Sequence, residues 1–122
     1  MRPEASALLW DARKAAGLVA HFVSARTWDD YESDPMLRSA VERQFQIIGE
    51  ALNKLSRVDP ETATAIPDLP RIVAFRNVLV HGYAVIDNEL VWEVATSRLP
   101  DLSATLDGLL GSSDAGEPTP ES

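Results

Sequence analysis

Residues 34 to 55 read DPMLRSAVERQFQIIGEALNKL, and this stretch carries the clearest helical signal in the chain. Asp34 is a favoured N-cap acceptor, and Pro35 suits the first helical position because the N–H it lacks has no partner there in any helix. Apolar residues then recur at steps of three to four, at Leu37, Val41, Phe45, Ile48, Leu52 and Leu55. This spacing predicts a long amphipathic helix that buries one face.

Before this stretch, apolar residues at similar steps predict a first helix over about residues 5 to 25. The residues between the two helices, Thr27 to Ser33, are mostly polar and are expected to form a link without regular structure. After the long helix, the pair Asp59-Pro60 repeats the capping signal and predicts a short helix that ends near Ile66.

Two more helices are expected in the second half of the chain. Asp68 with Pro70 starts a helix that should end near Gly82, the residue type that most often terminates helices. A last helix is expected to begin near Asp87, and Pro100 should kink it or break it into two pieces because proline cannot donate a backbone hydrogen bond.

Helices without convincing strands predict the fold class all-α, an up-and-down helical bundle of four to five helices. Residues 1–110 are expected to form this one domain. Residues 111–122 contain no large apolar side chain and three acids, so we expect a disordered acidic tail. The three tryptophans are expected to anchor the core or an interface between protomers.

The composition limits the chemistry. The chain has 122 residues, a formal net charge of −8, no cysteine and two histidines, sixty positions apart. Without cysteine there are no disulfides or thiolate metal sites, and a cytoplasmic location is natural. A zinc or iron centre is disfavoured, so we expect no metal or other cofactor. The early charged residues argue against a signal peptide and a membrane segment.

The acidic charge also limits contacts with nucleic acids, which depend on lysine and arginine. The first 110 residues carry a net charge of −5 once the acids of the tail are set aside. Any RNA site in this chain is therefore expected to be a local patch.

Such a patch is suggested by RNVLVHGY, residues 76 to 83, where Arg76, His81 and Tyr83 interrupt an apolar run. An arginine can bind two phosphate oxygens at once, and a histidine can transfer the proton that cleavage of a phosphodiester requires. On a regular helix Arg76 and His81 would lie about 140° apart, so one helix aims them imperfectly at one target. Both side chains could reach one target if the helix unwinds at Gly82, if a second protomer faces the first, or if both occur together.

The Arg-x4-His-x-Tyr pattern, with Asn77 after the arginine and Val80 before the histidine, resembles the HEPN superfamily and specifically its HepT toxin family. Further similar segments lie outside the motif. They are Ile48-Gly49-Glu50-Ala51, Ile66-Pro67, Leu69-Pro70, Val91-Trp92 and Leu99-Pro100. The resemblance covers roughly residues 5 to 108. Arg71 departs from the resemblance, because in the family a tryptophan commonly follows the proline that corresponds to Pro70.

The resemblance implies a metal-independent ribonuclease, the toxin of a bacterial toxin-antitoxin pair, with an active cleft at a homodimer interface. It also implies a partner, a small nucleotidyltransferase of the minimal (MNT) type that acts as antitoxin. In the family this partner is thought to neutralise the toxin by transferring AMP to the motif tyrosine, here Tyr83.

Within this reading Arg76 and His81 are the catalytic residues, one binding the scissile phosphate and the other moving protons. Asn77 lies one turn before His81 and could orient its ring. Glu50 interrupts the apolar face of the long helix, either as a polar support for the cleft or as half of a surface ion pair. The alternative function is a non-catalytic HEPN subunit that binds nucleotide or scaffolds a nucleotidyltransferase.

Overall fold

The computed structural model describes residues 1–81 and 86–111, and within these ranges it contains helices and no strand. In chain order the elements are α1 (Pro3–Val23), α2 (Trp28–Ser33), α3 (Pro35–Val58), α4 (Pro60–Ala63), α5 (Leu69–His81), α6 (Asn88–Glu93), a π-helical segment (Val94–Arg98) and α7 (Leu99–Gly111). The prediction of an all-α fold is confirmed. The helices α1, α3, α5 and α7 form the bundle, and α2, α4 and α6 are short.

The core lies between α1 and α3, which have the most extensive contact in the molecule. All six apolar positions of the α3 stripe, from Leu37 to Leu55, are buried, and they pack against a buried stripe on α1 that includes Leu9 and Val19. Burying a leucine or isoleucine side chain contributes roughly 1.5–3 kcal/mol to folding. On the outer sides of this pair, α7 packs on α1 and α5 packs on α3.

The start of α3 is fixed by its cap, as the sequence predicts. Oδ1 of Asp34 accepts hydrogen bonds from the backbone N–H groups of Met36 (3.0 Å) and Leu37 (3.2 Å), and Pro35 occupies the first turn. Two of the N–H groups that every helix start leaves unpaired are thereby satisfied.

The expectation of an irregular link over Thr27 to Ser33 is wrong, because Trp28–Ser33 forms α2. Thr27 Oγ1 accepts from the N–H of Asp30, and the Asp30 carboxylate accepts from the N–H of Thr27, which is a complete capping box. The short helix is held by Tyr31, which is fully buried. Its ring centroid lies 5.3 Å from that of Trp92 on α6.

The tryptophans Trp10, Trp28 and Trp92 pack partly buried against the core, in agreement with one of the two roles expected for them. Tyr31 contacts two of them and places its hydroxyl where no described atom accepts a hydrogen bond from it. Burial, with a smaller contribution from Glu42, raises the pKa of Tyr31 far above its usual range. This tyrosine is therefore a neutral core residue.

The remaining helix boundaries follow the sequence signals closely. The helix begun by Asp59 ends at Ala63, and hydrogen-bonded turns continue to Ile66. Asp87 caps α6 by accepting from the N–H of Leu90 (3.2 Å). The two pieces expected around Pro100 are α6 and α7, and they are joined by the π-helical segment.

Most of the predicted tail lies outside the described residues. Gly111 is the last residue of α7, and the rest of the expected tail, 112–122, lies outside the described residues. So do residues 82–85, which include Gly82 and Tyr83. Among the described residues no helix is long and apolar enough to cross a membrane.

Replacing Asp34 by alanine should destabilise the protein by about 1 kcal/mol, because two backbone donors of α3 lose their acceptor. Urea unfolding followed by circular dichroism at 222 nm measures this. Ser39→Ala, at an exposed position in the same helix, is the control and should leave the midpoint unchanged or slightly higher. Equal midpoints for Asp34→Ala and the wild type would show that the cap does not stabilise α3.

Candidate active site

The motif lies on α5, whose rotation is set by its packing on α3. Leu79 is buried, and Phe75 is half-buried with its ring edge-on to that of Phe45, at a centroid distance of 5.3 Å and an angle of 80°. Edge-to-face pairs of this kind contribute beyond simple burial. With these residues turned toward α3, the neighbouring position 76 also faces α3.

Gly49 allows α5 to come unusually close to α3 at this point. A Cβ atom built on Gly49 would lie 2.2 Å from Cβ and 2.6 Å from Cγ of Arg76. Such distances are far inside van der Waals contact, and a Cβ atom cannot swing away as the end of a side chain can. The stem of Arg76 therefore occupies the space that any other residue at position 49 would fill.

The guanidinium of Arg76 is held by the two residues that the sequence suggested as supports. Its Nη1 donates to Oδ1 of Asn77 at 2.8 Å, and its Nη2 donates to Oε2 of Glu50 at 3.3 Å. The Arg76 side chain is 22% exposed and that of Glu50 is 49% exposed. Glu50 thus forms an ion pair, and its partner is Arg76 of the candidate site.

This arrangement leaves hydrogen-bonding capacity on the guanidinium. Each terminal nitrogen carries two hydrogens, so Nη1 and Nη2 each keep one after bonding to Asn77 and Glu50. Nε is buried and has no hydrogen-bond partner among the described residues. A cation with free donors and a restricted orientation is suited to binding an anionic oxygen.

His81 is the last residue of α5 and is exposed. Because the helix continues through it, the rotation from Arg76 to His81 remains that of a regular helix, about 140°. Gly82, where the helix was expected to unwind, lies outside the described residues, and the contribution of a second protomer stays a prediction. Asn77 lies one turn before His81, but its Oδ1 accepts from Arg76.

The structure thus brings Arg76, Asn77 and Glu50 together and places His81 on another side of the same helix end. Tyr83, the expected modification site, lies outside the described residues. No group of three or more histidine, cysteine, aspartate or glutamate side chains that could hold a metal ion occurs within residues 1–81 and 86–111.

Sequence reasoning missed the role of Gly49. A signal was present, since a glycine inside a strongly periodic helix costs up to about 1 kcal/mol and often marks a close backbone approach. The partner helix, and hence the contact with Arg76, could not be read from that signal.

The chain is similar in sequence to a family of ribonucleases. The model of a family described as "Ribonuclease HepT-like" matches residues 12–109, a span that includes Gly49, Arg76 and His81. A Methanocaldococcus jannaschii protein named "Putative RNase MJ1380" is 29% identical over 101 residues, covering 81% of this chain and 90% of that protein. A Thermococcus cleftensis protein named "Probable ribonuclease HepT" is 29% identical over 105 residues, covering 83% of this chain and 91% of that protein. No solved structure matches the chain.

Gly49→Ala should separate α5 from α3 and destabilise the protein by at least about 1–3 kcal/mol, as overpacking does in other cores. Gly108→Ala is the matched control, because a Cβ there meets no atom of the described residues within 4 Å and the change should stabilise α7 slightly. Urea midpoints of the two variants measure the difference. The double variant Gly49→Ala with Arg76→Gly removes the clash and should recover stability relative to Gly49→Ala. No recovery would contradict the proposed contact.

Proposed function

The chain belongs to the HepT-like ribonuclease family, and from this membership we propose that it is a metal-independent endoribonuclease in which Arg76 and His81 act on one phosphodiester. The observation that carries the proposal is the restrained guanidinium of Arg76, which keeps free donors on both terminal nitrogens.

Arg76 binds the phosphate and the negative charge that develops on it during cleavage. Its partial burial weakens competition from water, so its attraction to an oxyanion is stronger than that of a fully exposed arginine. Asn77 and Glu50 restrict its orientation, which lowers the entropy cost of binding the substrate.

His81 transfers protons between the ribose 2′-hydroxyl, the phosphate and the leaving oxygen. Histidine suits this role because its usual pKa lies near neutral pH, and general acid-base catalysis contributes roughly 10²–10⁴ in rate. Its exposure at the end of α5 leaves it accessible to a polymer substrate.

The active form in this proposal is a homodimer whose cleft combines Arg76 of one protomer with His81 of its partner. Two features support it. Arg76 and His81 point in directions about 140° apart on α5. In addition, α5 packs mainly on α3 and leaves two valines exposed, Val78 (53%) one turn before His81 and Val80 (42%) one turn after Arg76. Covering either valine with a partner protomer would be favourable, and a two-fold axis near the end of α5 would bring the two motifs together.

The purified protein should cleave RNA in the presence of EDTA and spare DNA, because the 2′-hydroxyl is the nucleophile. His81→Ala should lower kcat by roughly 10²–10⁴. The matched control is His21→Ala, which removes the chain's other histidine from an exposed position on α1 and should retain full activity. Fluorescent oligonucleotide cleavage measures the rates, and circular dichroism verifies the fold.

Cleavage of DNA, or dependence on added metal ions, would contradict this mechanism. A folded wild-type protein that cleaves no RNA would favour the non-catalytic binding subunit instead.

Subunit mixing tests the shared cleft. When Arg76→Ala and His81→Ala protomers are mixed equally and at random, half of the dimers are heterodimers, and each heterodimer contains one intact composite site. About a quarter of the wild-type activity should therefore return. No recovery would place both residues in the same protomer's site.

The proposal extends to regulation by a minimal nucleotidyltransferase that acts as antitoxin. Tyr83 follows His81 by two positions, so AMP attached to its hydroxyl would add bulk and negative charge close to the site. Negative charge there repels an RNA backbone and competes for the Arg76 guanidinium. The support for this step is the Arg-x4-His-x-Tyr pattern and the family to which the chain belongs.

Co-expression with a minimal nucleotidyltransferase, the proposed antitoxin, should add AMP to the protein, as measured by intact-mass spectrometry. Tyr83→Phe should abolish the added mass. Tyr31→Phe is the matched control, because Tyr31 is the chain's other tyrosine and is fully buried, so modification should persist in that variant. An unmodified wild type, or modification that survives Tyr83→Phe, would contradict the assignment.

A further inference from the structure

An open groove of about 490 Å³ runs between α1 and α3 on one face of the bundle. Its floor is apolar and includes Leu8 and Ile47, whereas its rim carries charged side chains. The groove meets the candidate active site at Glu50, which lines it and also accepts the hydrogen bond from Arg76.

The two lysines of the sequence, Lys14 and Lys54, both line this groove. Lys14 is on α1 and Lys54 is on α3, so they approach the groove from opposite walls. Both are exposed, and neither takes part in an ion pair within the described ranges. Lys54 follows Glu50 by four residues, which places it one helical turn from the residue that contacts Arg76.

The charge balance of the groove differs from that of the chain. Of the side chains that line it, Lys14 and Lys54 are cationic and Asp11 and Glu50 are anionic, so they sum to zero, and Arg76 beside the groove adds one positive charge. The whole chain carries −8. An anionic polymer is therefore repelled less by this groove than by a surface with the average charge of the chain.

We propose that this groove binds the RNA strand beside the scissile linkage, with Lys14 and Lys54 contacting its phosphates. An apolar floor between two ammonium groups suits a nucleotide strand, because the faces of its bases and riboses are apolar and its backbone is anionic. The groove then leads the strand toward Arg76. This proposal rests on the proposed ribonuclease function and assigns the part of the protein that binds nucleotides flanking the cleaved bond.

Binding of a 2′-O-methyl single-stranded RNA, which lacks the nucleophilic hydroxyl, tests the groove without depending on catalysis. Fluorescence anisotropy with the full chain, across a series of salt concentrations, measures affinity. The double variant Lys14→Gln with Lys54→Gln should bind about tenfold more weakly at low salt. The slope of log K against log salt should fall by about 1.4, since each phosphate contact contributes about 0.7 with single strands.

Two controls separate a contact from a general charge effect. The double variant Arg43→Gln with Arg57→Gln removes the same charge from exposed positions on α3 that do not line the groove, so its salt slope should equal that of the wild type. Asp11→Asn removes an acid from the groove and should strengthen binding about two- to threefold. A folding defect could not produce such a gain.

Catalysis gives a second measurement. The lysine double variant should raise KM for a long RNA severalfold and leave cleavage of a dinucleotide unchanged, because a dinucleotide has no flanking phosphates. The proposed RNA-binding role of the groove would be overturned if this variant kept the wild-type salt slope, or if the substitutions affected the long and the short substrate equally. Loss of the dimer would also overturn it, because the groove would then hold a second copy of the chain.

The failure of this inference and that of the ribonuclease proposal are distinguishable. If the wild type cleaves RNA and the lysines make no difference, the ribonuclease proposal stands and the groove proposal fails. If the wild type binds RNA through the lysines but cleaves nothing, the groove proposal stands and the ribonuclease proposal fails.

Discussion

At the crossing of α3 and α5, the absence of a side chain on Gly49 allows the Cβ and Cγ atoms of Arg76 to lie against the α3 backbone. The remaining features of the candidate site depend on this approach. It brings the guanidinium within reach of Glu50, the next residue along α3, and partly removes it from water. A packing constraint therefore determines where the positive charge is placed and how it is oriented.

The electrostatics of the molecule follow from the same contact. An isolated arginine on a chain of net charge −8 would be surrounded by competing carboxylates. Here one carboxylate, that of Glu50, occupies one hydrogen of Nη2 at 3.3 Å, and Asn77 occupies one hydrogen of Nη1. A phosphate that approaches the remaining hydrogens on Nη1 and Nη2 therefore need not displace either partner.

Much of the fold could be predicted from local sequence signals, because caps and apolar periodicity act over a few residues. Asp34 and Asp87 cap the helices that they were expected to start, and every apolar position predicted on the face of α3 is buried. The helix α2 was not predicted because its residues are mostly polar and only Tyr31 and Trp28 reach the core, so it has no apolar periodicity. Its capping box lies within this polar stretch. Arg76 and His81 could be proposed as site residues from their side-chain chemistry alone. The contact of Arg76 with Gly49 could not be predicted, because it depends on how two segments distant in sequence cross.

The π-helical segment Val94–Arg98 resolves a mismatch of period between α6 and α7. Buried residues of this region recur at intervals of four, four, seven and four, at Val91, Ala95, Leu99, Leu106 and Leu110. Together they span 19 residues in five turns, one more than the 18 residues of five α-helical turns, so a uniform α-helix would drift and carry its last leucines away from α1. The wider turn, located just before Pro100, which offers no N–H, absorbs the excess and resets the phase of the apolar stripe. The chain thus holds one surplus residue at this point, and a deletion within the segment would rotate α7 by about 100° relative to the core against which it packs.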